Sequence, residues 1–527
     1  MKLAKIERIN TIASIHKYEA TKNIEAQPDK GPKQSRSQLE AFHKSYGFKI
    51  NPELTEVQRY ELLQLLFDYK DVFARSLTEI RECKAPPLRI DLHTPRKMFK
   101  RQFRLNEEDA KEVTRQIAEM EECGVIEPSD SAYYNSPVFL VKKRDGSKRL
   151  VVDLRGINSL IVPKLIQLPN IDELLQEITQ EKPIWLTILD VKSAYWQCPI
   201  EEESRKYTTF CAPDGRRWAF RRCPFGLNSS PAHLLLVLGN IFADKNKFRN
   251  LEIYMDDAIL YSADWQNHLE QLELTLKTFL ENRFSCNPKK TELAFHKLEY
   301  LGFVVSGEGI HMSERRIEAV KHIYPPKNVK GLLKLLGMTN FWRRFIPQYS
   351  AKTYTMRQLL RKDQKFIWSY DCQKEFEYLK RSLTNPPILR PLDSRLPIII
   401  QTDGSKLGFG FVILQQATYG NLHVVNYGAK ATNLAQQAYC ADDLEALALV
   451  YALKSIEPLA VHKPITVVTD NSHLLHLNTW KPLNSRQRRM ITYLMQFDLT
   501  IRYIRGSRNV TPDFLSRLLE MSQNKNV

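Results

Sequence analysis

The spacing of apolar residues predicts helices in the first third of the chain. From Leu54 onward, leucines and phenylalanines recur at helical spacing. A better-marked helix follows Asn106, a typical N-cap ahead of three acids, and Gly124 is its C-terminal stop. A short amphipathic helix is expected over residues 171–178. Residues 1–50 are polar and basic without such a pattern, which predicts a flexible leader.

Strand patterns follow these helices. Residues 136–155 hold two apolar runs around an Arg-Asp-Gly-Ser turn, which is typical of a β-hairpin with a basic tip. Lysines that protect a strand edge from aggregation are the alternative explanation of that tip. The apolar run over residues 183–190 ends on Asp190, and a charge that closes a buried strand is costly unless it is compensated. We therefore expect Asp190 to have a partner, and a metal ion is the simplest one.

The segment from Leu251 to Tyr261 places two adjacent acids, Asp256 and Asp257, between β-forming runs. This pattern predicts a tight hairpin with carboxylates at its tip. Asp is common in turns because its side chain hydrogen-bonds the nearby backbone, so the pair alone favours turn chemistry over a metal site. A metal site requires a third carboxylate from another element, and Asp190 is the candidate.

The C-terminal third of the chain has an α/β pattern. Strands are predicted over residues 398–405, 407–416 and 422–430, then a helix over 438–456 and a strand over 465–469. Four acids stand at strand ends or on helices, namely Asp403, Glu445, Asp470 and Asp513. Each strand-end Asp alone would fit a helix N-cap, but four acids on separate elements fit a two-metal nuclease better than four caps.

Size and charge restrict the class of protein. A chain of 527 residues is too long for one hydrophobic core, so several domains are expected. The 77 Lys and Arg against 60 Asp and Glu give a net charge of +17, which favours a nucleic-acid partner over a merely solvated basic surface. Because no apolar run has membrane-spanning length and no signal-peptide core is present, we expect a soluble intracellular protein. The 8 cysteines lack CxxC spacing, which argues against a disulfide framework or a zinc finger.

Six motifs occur in the order that reverse transcriptases show. They are SPVFLVKK, RLVVDLRGIN at 149–158, LTILDVKSAYWQ at 186–197, PFGLNSSPA at 224–232, YMDD at 254–257 and YLGFVVS at 300–306. YMDD alone is a weak signal, whereas the ordered set is specific. Over residues 55–518 the sequence resembles the reverse transcriptase and RNase H region of the pol polyprotein of gypsy-type LTR retrotransposons (Metaviridae).

This resemblance implies a fold and its division into parts. The fold class is multidomain α/β and α+β: a right-hand polymerase with fingers, palm and thumb, followed by a connection and an RNase H-like α/β domain. The expected parts are a flexible basic leader (1–50), fingers and palm (51–310), thumb and connection (311–390), the RNase H domain (391–518) and a tail (519–527).

The resemblance also assigns the residues of a polymerase site. Asp190, Asp256 and Asp257 match the carboxylates that hold two Mg²⁺ ions, with Mn²⁺ as an alternative, and Asp256 is expected to be the least replaceable. The other matches are to substrate contacts: Lys143 and Arg149 to the triphosphate, Tyr195 to the gate against a ribose 2′-OH, Phe225 and Gly226 to the template side, Lys290 (or Lys289) to a proton donor for pyrophosphate, and Leu301, Gly302 and Phe303 to the primer grip. The plainer alternatives are a core aromatic at Tyr195 and a solvated lysine pair at Lys290.

In the C-terminal part, Asp403, Glu445, Asp470 and Asp513 match the carboxylates of RNase H, which also hold two ions. Cellular RNases H carry a His before the last acid, but residues 506–510 contain none. Gypsy-type enzymes commonly lack it. This departure puts the proton-transfer or product-release role of that His in doubt, and leaves the metal site untouched.

The expected function is synthesis of DNA on RNA and DNA templates, with RNase H cleavage of the RNA strand of RNA-DNA hybrids, for retrotransposon replication. The expected partners are an RNA template, DNA primer-template, the hybrid, dNTPs, and a tRNA or other primer; a homodimer or heterodimer is compatible, and no membrane is expected. The expected location is the cytoplasm, in a virus-like particle, with nuclear entry at integration. Because no protease triplet or integrase zinc set is present, we expect a processed product or a truncated copy.

Two other functions compete with this one. A domesticated nucleic-acid-binding protein without activity would have decayed acids, yet all seven are present. An RNA-dependent RNA polymerase would share a palm, but it would not need Tyr195 as a gate or an RNase H domain.

Overall fold

The computed structural model describes residues 33–94, 96–142, 146–164, 168–362, 364–386, 389–393, 395–404, 408–416, 422–460, 463–479 and 484–504. Its helices, numbered in chain order, are α1 Arg36–Tyr46, α2 Glu56–Asp68, α3 Glu107–Glu122, α4 Arg155–Asn158, α5 Ile171–Gln180, α6 Glu202–Arg205, α7 Ser229–Ile241, α8 Trp265–Glu281, α9 Glu314–Lys321, α10 Val329–Phe341, α11 Tyr354–Gln358, α12 Tyr370–Thr384, α13 Leu434–Gln437, α14 Ala441–Ala460 and α15 Ser485–Leu494.

The strands of the same residues are β1 Lys49–Ile50, β2 Met98–Phe99, β3 Ile126–Pro128, β4 Tyr134–Asn135, β5 Val138–Lys142, β6 Lys148–Val152, β7 Trp185–Asp190, β8 Phe210–Cys211, β9 Arg217–Phe220, β10 Leu251–Tyr254, β11 Asp257–Ser262, β12 Glu292–Phe295, β13 Lys297–Tyr300, β14 Phe303–Ser306, β15 Gly309–His311, β16 Ile398–Gly404, β17 Gly408–Gln416, β18 Leu422–Ala431, β19 Pro464–Thr469 and β20 Asp498–Tyr503.

The helix signals of the sequence are confirmed where they are strongest. Asn106 caps α3, since its side-chain oxygen accepts from the backbone N–H of Asp109 at 2.7 Å. The chain turns away from this helix at Gly124, whose φ of +63° is costly for other residues. In α5 the apolar face is buried as the spacing predicts.

The prediction of a flexible leader is wrong for residues 33–50. A reciprocal capping box between Ser35 and Gln38 starts α1, and Leu39 and Phe42 are buried. β1 then joins the edge of the palm sheet by pairing with β12. Two apolar side chains are enough here because α2 supplies the other half of the core, which no local pattern reveals. Residues 1–32 lie outside the described part of the chain.

A five-stranded sheet in the order β1-β12-β7-β11-β10 forms the palm. β7 is central and apolar, and it runs antiparallel to β11 from Trp185 opposite Ser262 to Asp190 opposite Asp257. This register brings the end of β7 to the β10–β11 turn. The β5–β6 hairpin of the fingers and the separate sheet β13-β14-β15 flank the palm.

The C-terminal domain is built on a second five-stranded sheet, in the order β18-β17-β16-β19-β20. β16 is antiparallel to β17 and parallel to β19, as the α/β pattern predicts. α14 packs on β16 and β17. Its close approach requires Gly404, because a Cβ there would lie 2.7 Å from the carbonyl carbon of Leu444.

One hydrophobic core joins the palm, the thumb helices and the second sheet. It holds Ile188 and Ile259 of the palm, Phe345 of the thumb, and Val412 and Tyr427 of the C-terminal sheet. The linker between the domains is held as well: Ile310 of β15 and Leu389 exchange two backbone hydrogen bonds, of 2.9 and 3.1 Å. The described parts of the two domains are therefore packed together through side chains as well as linked by the chain.

All 8 cysteines lie in the described residues and carry free thiols, and most are buried. No helix among the residues that the structure describes is long and apolar enough to cross a membrane.

The contact between linker and β15 gives a stability prediction. Gly309 has φ +135°, and a Cβ there would lie 2.3 Å from the carbonyl oxygen of Leu389. We expect Gly309→Ala to destabilise the protein by about 2–4 kcal/mol, because the backbone must leave a glycine-only conformation and break the pairing. Gly239→Ala is the matched control: no atom lies within 4 Å of its Cβ, and it sits within α7, where Ala is favoured. Thermal unfolding of both variants checks this, and equal melting temperatures would contradict it.

Candidate active sites

The palm carboxylates converge through strand register. Asp190 ends β7 and lies directly opposite Asp257, the first residue of β11. Met255 and Asp256 form the two-residue turn between the paired Tyr254 and Asp257, with Met255 at φ +57°. The predicted hairpin is thus confirmed, although only Asp256 is at its tip. Asp257 belongs to the strand, which explains why it is half-buried while Asp256 is exposed.

Burial and neighbouring negative charge raise the pKa values of Asp190 and Asp257. Burial, followed by the charges of Asp256 and Asp190, raises the pKa of Asp257 to about 6. Burial also raises the pKa of Asp190, although the hydrogen bond from Lys290 opposes this. The ammonium of Lys290 lies 3.0 Å from Asp190 Oδ2. Burial alone would lower the pKa of Lys290, but Asp190 and the other two acids outweigh it and raise it. Negative charge is therefore concentrated here beyond what the protein itself neutralises.

The backbone around Asp190 is fixed by a buried amide. Gln197 is 0% exposed, accepts from the N–H of Ser285 at 2.6 Å, and donates to the carbonyl oxygens of Lys192 and Ser285 at 2.6 and 2.8 Å. It thereby joins the segment after β7 to the segment before β12. Sequence reasoning missed Gln197; its signal is a single amide at the end of an otherwise aromatic run.

A cavity of about 860 Å³ opens in front of the carboxylates. The structure brings seven of the predicted site residues together in its lining: Arg149, Asp190, Tyr195, Phe225, Gly226, Asp256 and Lys290. Tyr195 lies on a 3₁₀ turn, Ala194–Gln197, that follows β7 directly. Its half-buried ring is consistent with both a packed aromatic and a wall of this cavity.

Arg149 and Phe225 together form a wall of the cavity that is both cationic and aromatic. The guanidinium of Arg149 lies over the Phe225 ring, 4.2 Å from the centroid, while the ring of Tyr195 meets it edge-on at 5.1 Å. The fingers arginine therefore covers the ring of Phe225. Gly226 follows at φ +88°, and Asn158, also missed, holds it by donating to its carbonyl oxygen at 2.8 Å.

Helix α3 fixes the position of the β5–β6 hairpin through hydrogen bonds and ion pairs. Gln116 of α3 donates to the carbonyl oxygen of Lys148 and accepts from the N–H of Leu150, both at 2.9 Å. Lys148 also pairs with two acids at the start of α3. These contacts fix β6, and thus Arg149, relative to the helix. Lys143 lies outside the described residues.

The predicted primer grip is a second two-residue turn, between β13 and β14. Leu301 and Gly302 have φ of +49° and +85°, the signs that a tight hairpin turn requires. Phe303 is buried and stacks on Phe341 at 5.1 Å, whereas Leu301 and Gly302 are partly exposed. Contact of these three residues with a primer stays a prediction.

No group of three or more acidic, histidine or cysteine side chains among the described residues is arranged to hold a metal ion as it stands. The donor set of the palm nevertheless fits a hard divalent cation. Asp190 and Asp257 are opposed carboxylates, and Asp256 lines the same cavity as Asp190. Within the described residues, the carboxylate of Asp257 makes no hydrogen bond or ion pair, so both of its oxygens are available to a ligand.

The acids of the C-terminal domain are only partly described. Glu445 is buried and accepts from the N–H of Gly404 at 2.7 Å and the hydroxyl of Thr402 at 3.1 Å. Asp470 directly follows β19. Since Gln401 pairs with Val468, continuing this parallel register sets the backbone of Asp403 beside Asp470. The side chain of Asp403, all of Asp513 and residues 506–510 lie outside the described part.

Two family models match the chain. Residues 141–305 match "Reverse transcriptase (RNA-dependent DNA polymerase)", and residues 368–467 match "RNase H-like domain found in reverse transcriptase". The chain thus contains a reverse transcriptase domain and an RNase H-like domain. Both families generally depend on divalent metal ions.

Curated relatives include transposon polyproteins of Schizosaccharomyces pombe. The Tf2-3 and Tf2-7 polyproteins are 28% and 27% identical over 482 residues. The match covers 90% of this chain and 36% of each relative, so the chain spans about a third of their length.

Solved structures show the same fold. A foamy viral protease-reverse transcriptase (dRH) in complex with double-stranded DNA superposes with a TM-score of 0.75 at 21% identity, covering 91% of this chain and 84% of that one. The protease-reverse transcriptase in complex with an RNA/DNA hybrid gives 0.70 at 20% identity, covering 90% and 64%. The fold is therefore the expected right-hand polymerase joined to an RNase H-like domain.

The charge of the palm gives a stability prediction for metal-free protein. Asp257 has a pKa of about 6 in the fold against 3.8 ordinarily, so its ionisation costs stability that grows between about pH 4 and 6 and then stays constant. We expect Asp257→Asn to raise the melting temperature in EDTA, and to do so more at pH 7.5 than at pH 5.

Lys290→Met removes the cation that partly neutralises Asp190, so we expect this variant to have a lower melting temperature than the wild type at pH 7.5. Thermal unfolding checks both, and a decrease for Asp257→Asn would contradict the assignment.

Proposed function

We propose that this chain is a reverse transcriptase that copies RNA and DNA templates into DNA and cleaves the RNA strand of RNA-DNA hybrids. The single observation that supports this most is the convergence of the palm carboxylates on the large cavity. Asp190 and Asp256 line this cavity together with an aromatic and a fingers arginine, and Asp257 faces Asp190 across the strands. That arrangement suits a nucleotide whose triphosphate carries divalent cations.

Asp190, Asp256 and Asp257 would hold the divalent ions, which we propose to be two Mg²⁺, with Mn²⁺ as a substitute. When bound, such ions lower the pKa of the primer 3′-OH and stabilise the charge on pyrophosphate. The carboxylates orient the primer and the triphosphate toward each other. The 3′-hydroxyl would release its proton to solvent and its oxygen would form a bond to the α-phosphorus. The bond from the α-phosphorus to the bridging oxygen would break, and pyrophosphate would leave.

The other residues of the cavity bind and select the nucleotide. We propose that Arg149 and Lys143 bind the triphosphate, because a guanidinium fits phosphate oxygens in a bidentate way. Tyr195 closes the sugar side and excludes a 2′-OH. Lys290 is proposed to give a proton to pyrophosphate; its support is that it already lies among the palm acids, 3.0 Å from Asp190.

For the second activity we propose Asp403, Glu445, Asp470 and Asp513 as the ligands of two further ions. The support is the register that sets β16 beside β19, together with the anchoring of Glu445 against the Gly404 backbone. These side chains would orient a water for attack on the scissile phosphate of the RNA strand.

The finer identity is also a proposal. We place the chain in a gypsy-type LTR retrotransposon, because its motifs follow that order and its relatives include transposon polyproteins. Its partners would be template RNA, primer-template, hybrid, dNTPs, and a tRNA or other primer, and it would act in a cytoplasmic virus-like particle. The net charge of +17 supports binding to nucleic acid.

Separation of the two activities tests this proposal. We expect Asp256→Asn to lower primer extension on an RNA template by about 1000-fold or more, because a metal ligand is lost, while hybrid cleavage continues. Asp403→Asn should do the reverse. The assays are extension of a labelled primer and release of labelled RNA from a hybrid, both with Mg²⁺. A wild-type protein that does neither would exclude the enzyme.

The gate at Tyr195 gives a separate test. We expect Tyr195→Val to raise the use of rNTPs relative to dNTPs by about 10- to 200-fold, the usual range for one steric contact. Tyr195→Phe keeps the ring against Phe225, 5.1 Å away in the wild type, and should keep the selectivity. Single-nucleotide insertion kinetics with both substrates measure this ratio. Unchanged selectivity in Tyr195→Val would leave Tyr195 with a packing role only.

A further inference from the structure

The turn between β13 and β14 lies close to the palm acids. Leu301 of this turn lines a pocket of about 250 Å³ that Asp190 and Asp257 also line. Leu301 and Gly302 have φ of +49° and +85°. Leucine is uncommon at positive φ because its Cβ crowds the backbone there, and such a conformation persists only where the surrounding structure holds it. We therefore looked for the side chains that hold this turn.

The guanidinium of Arg316 lies directly against Gly302. Its Nη1, Nη2 and Cζ atoms are 2.7, 2.9 and 3.2 Å from the position that a Cβ on Gly302 would take. Because glycine has no Cβ, the planar guanidinium can approach the backbone of the turn this closely. Arg316 thus fills the space in which another residue at position 302 would place its side chain.

Two further contacts fix the guanidinium of Arg316. Its Nη2 lies 3.0 Å from Oε1 of Glu299 on β13, and its Cζ lies 5.8 Å from the ring centroid of the buried Trp342. An exposed ion pair alone would contribute little to the position of a long side chain. Here the side chain of Arg316 is only 31% exposed, and the turn, the carboxylate and the aromatic ring limit it from three sides.

These contacts join elements that are distant along the chain. Arg316 belongs to α9, which packs on α12, and Trp342 follows α10 directly. Both residues lie in the expected thumb, whereas Glu299 and Gly302 belong to the β13–β14 hairpin. The guanidinium of Arg316 therefore connects the thumb to the turn beside the palm acids.

We propose that Arg316 is a positioning residue that holds the Leu301–Gly302 turn against the thumb, so that a bound primer keeps its 3′ end beside the palm acids. The proposal rests on the proposed function and on the assignment of this turn to the primer grip. Arg316 acts through the turn and does not itself bind the nucleotide or a metal ion. A shift of about 1 Å in a reacting group costs up to about 100-fold in rate, so loss of Arg316 should slow insertion without weakening nucleotide binding.

The test is the kinetics of single-nucleotide insertion on a primer-template. Arg316→Met should lower the maximal insertion rate by about 10- to 100-fold, while the KM for the nucleotide stays within about twofold of the wild type. Arg315→Met is the matched control, because this exposed neighbour on α9 makes no hydrogen bond or ion pair within the described part of the chain. It removes the same charge and should insert nucleotides as the wild type does. Melting temperatures of the variants set an assay temperature at which all of them are folded.

Arg316→Lys distinguishes positioning from simple charge. Lysine keeps the positive charge but lacks the planar group that fits against Gly302, so we expect its insertion rate to stay close to that of Arg316→Met. If Arg316→Lys restores the wild-type rate, a charge contact with the nucleic acid accounts for the effect and the positioning role is wrong. Equal rates for Arg316→Met and Arg315→Met would also overturn it. In both cases primer extension by the wild type would still support the polymerase, whereas a wild type that extends no primer would overturn both proposals.

Discussion

The opposition of Asp190 and Asp257 across two central strands is the constraint on which the palm depends. Antiparallel pairing places the buried Asp190 opposite the half-buried Asp257, and burial together with neighbouring negative charge raises the pKa of both. Such a pair is unfavourable for an isolated fold, so the surrounding structure has to hold it in place. A divalent cation bound between these carboxylates, as proposed above, would offset this cost by replacing their repulsion with ligation.

The support for this pair comes from elements distant in sequence. Gln197 fixes the chain after β7 against Ser285, and Lys290 partly neutralises Asp190. Leu301 of the β13–β14 turn lines a pocket that Asp190 and Asp257 also line. We propose none of these groups as a metal ligand; they act on the carboxylates that are. A mutation in them would therefore act on the site by shifting the position or charge of carboxylates that remain present.

Local sequence signals predicted what local physics decides. Asn106 as a cap, the strand that ends on Asp190, and the tight turn before Asp257 all appear where the spacing placed them. The failures need tertiary information. α1 exists because α2 covers its apolar face. The contact of Phe303 with Phe341 and the position of Arg149 over Phe225 likewise involve residues that are distant in sequence, and local patterns do not predict them. The order of the motifs predicted which residues come together in the site, and hydrophobic periodicity alone does not predict this.

The two domains solve the same electrostatic problem with different strand topologies. In the palm, antiparallel strands bring Asp190 and Asp257 face to face, and among the residues that the structure describes Lys290, which contacts Asp190, is the one cation paired with them. In the C-terminal domain, β16 and β19 are parallel, and the buried Glu445 accepts hydrogen bonds from a backbone N–H and a hydroxyl. In the palm, Lys290 and a divalent cation would compete for the same carboxylate oxygen of Asp190. Metal binding by Asp190 should consequently require Lys290 to give up part of its attraction to that carboxylate.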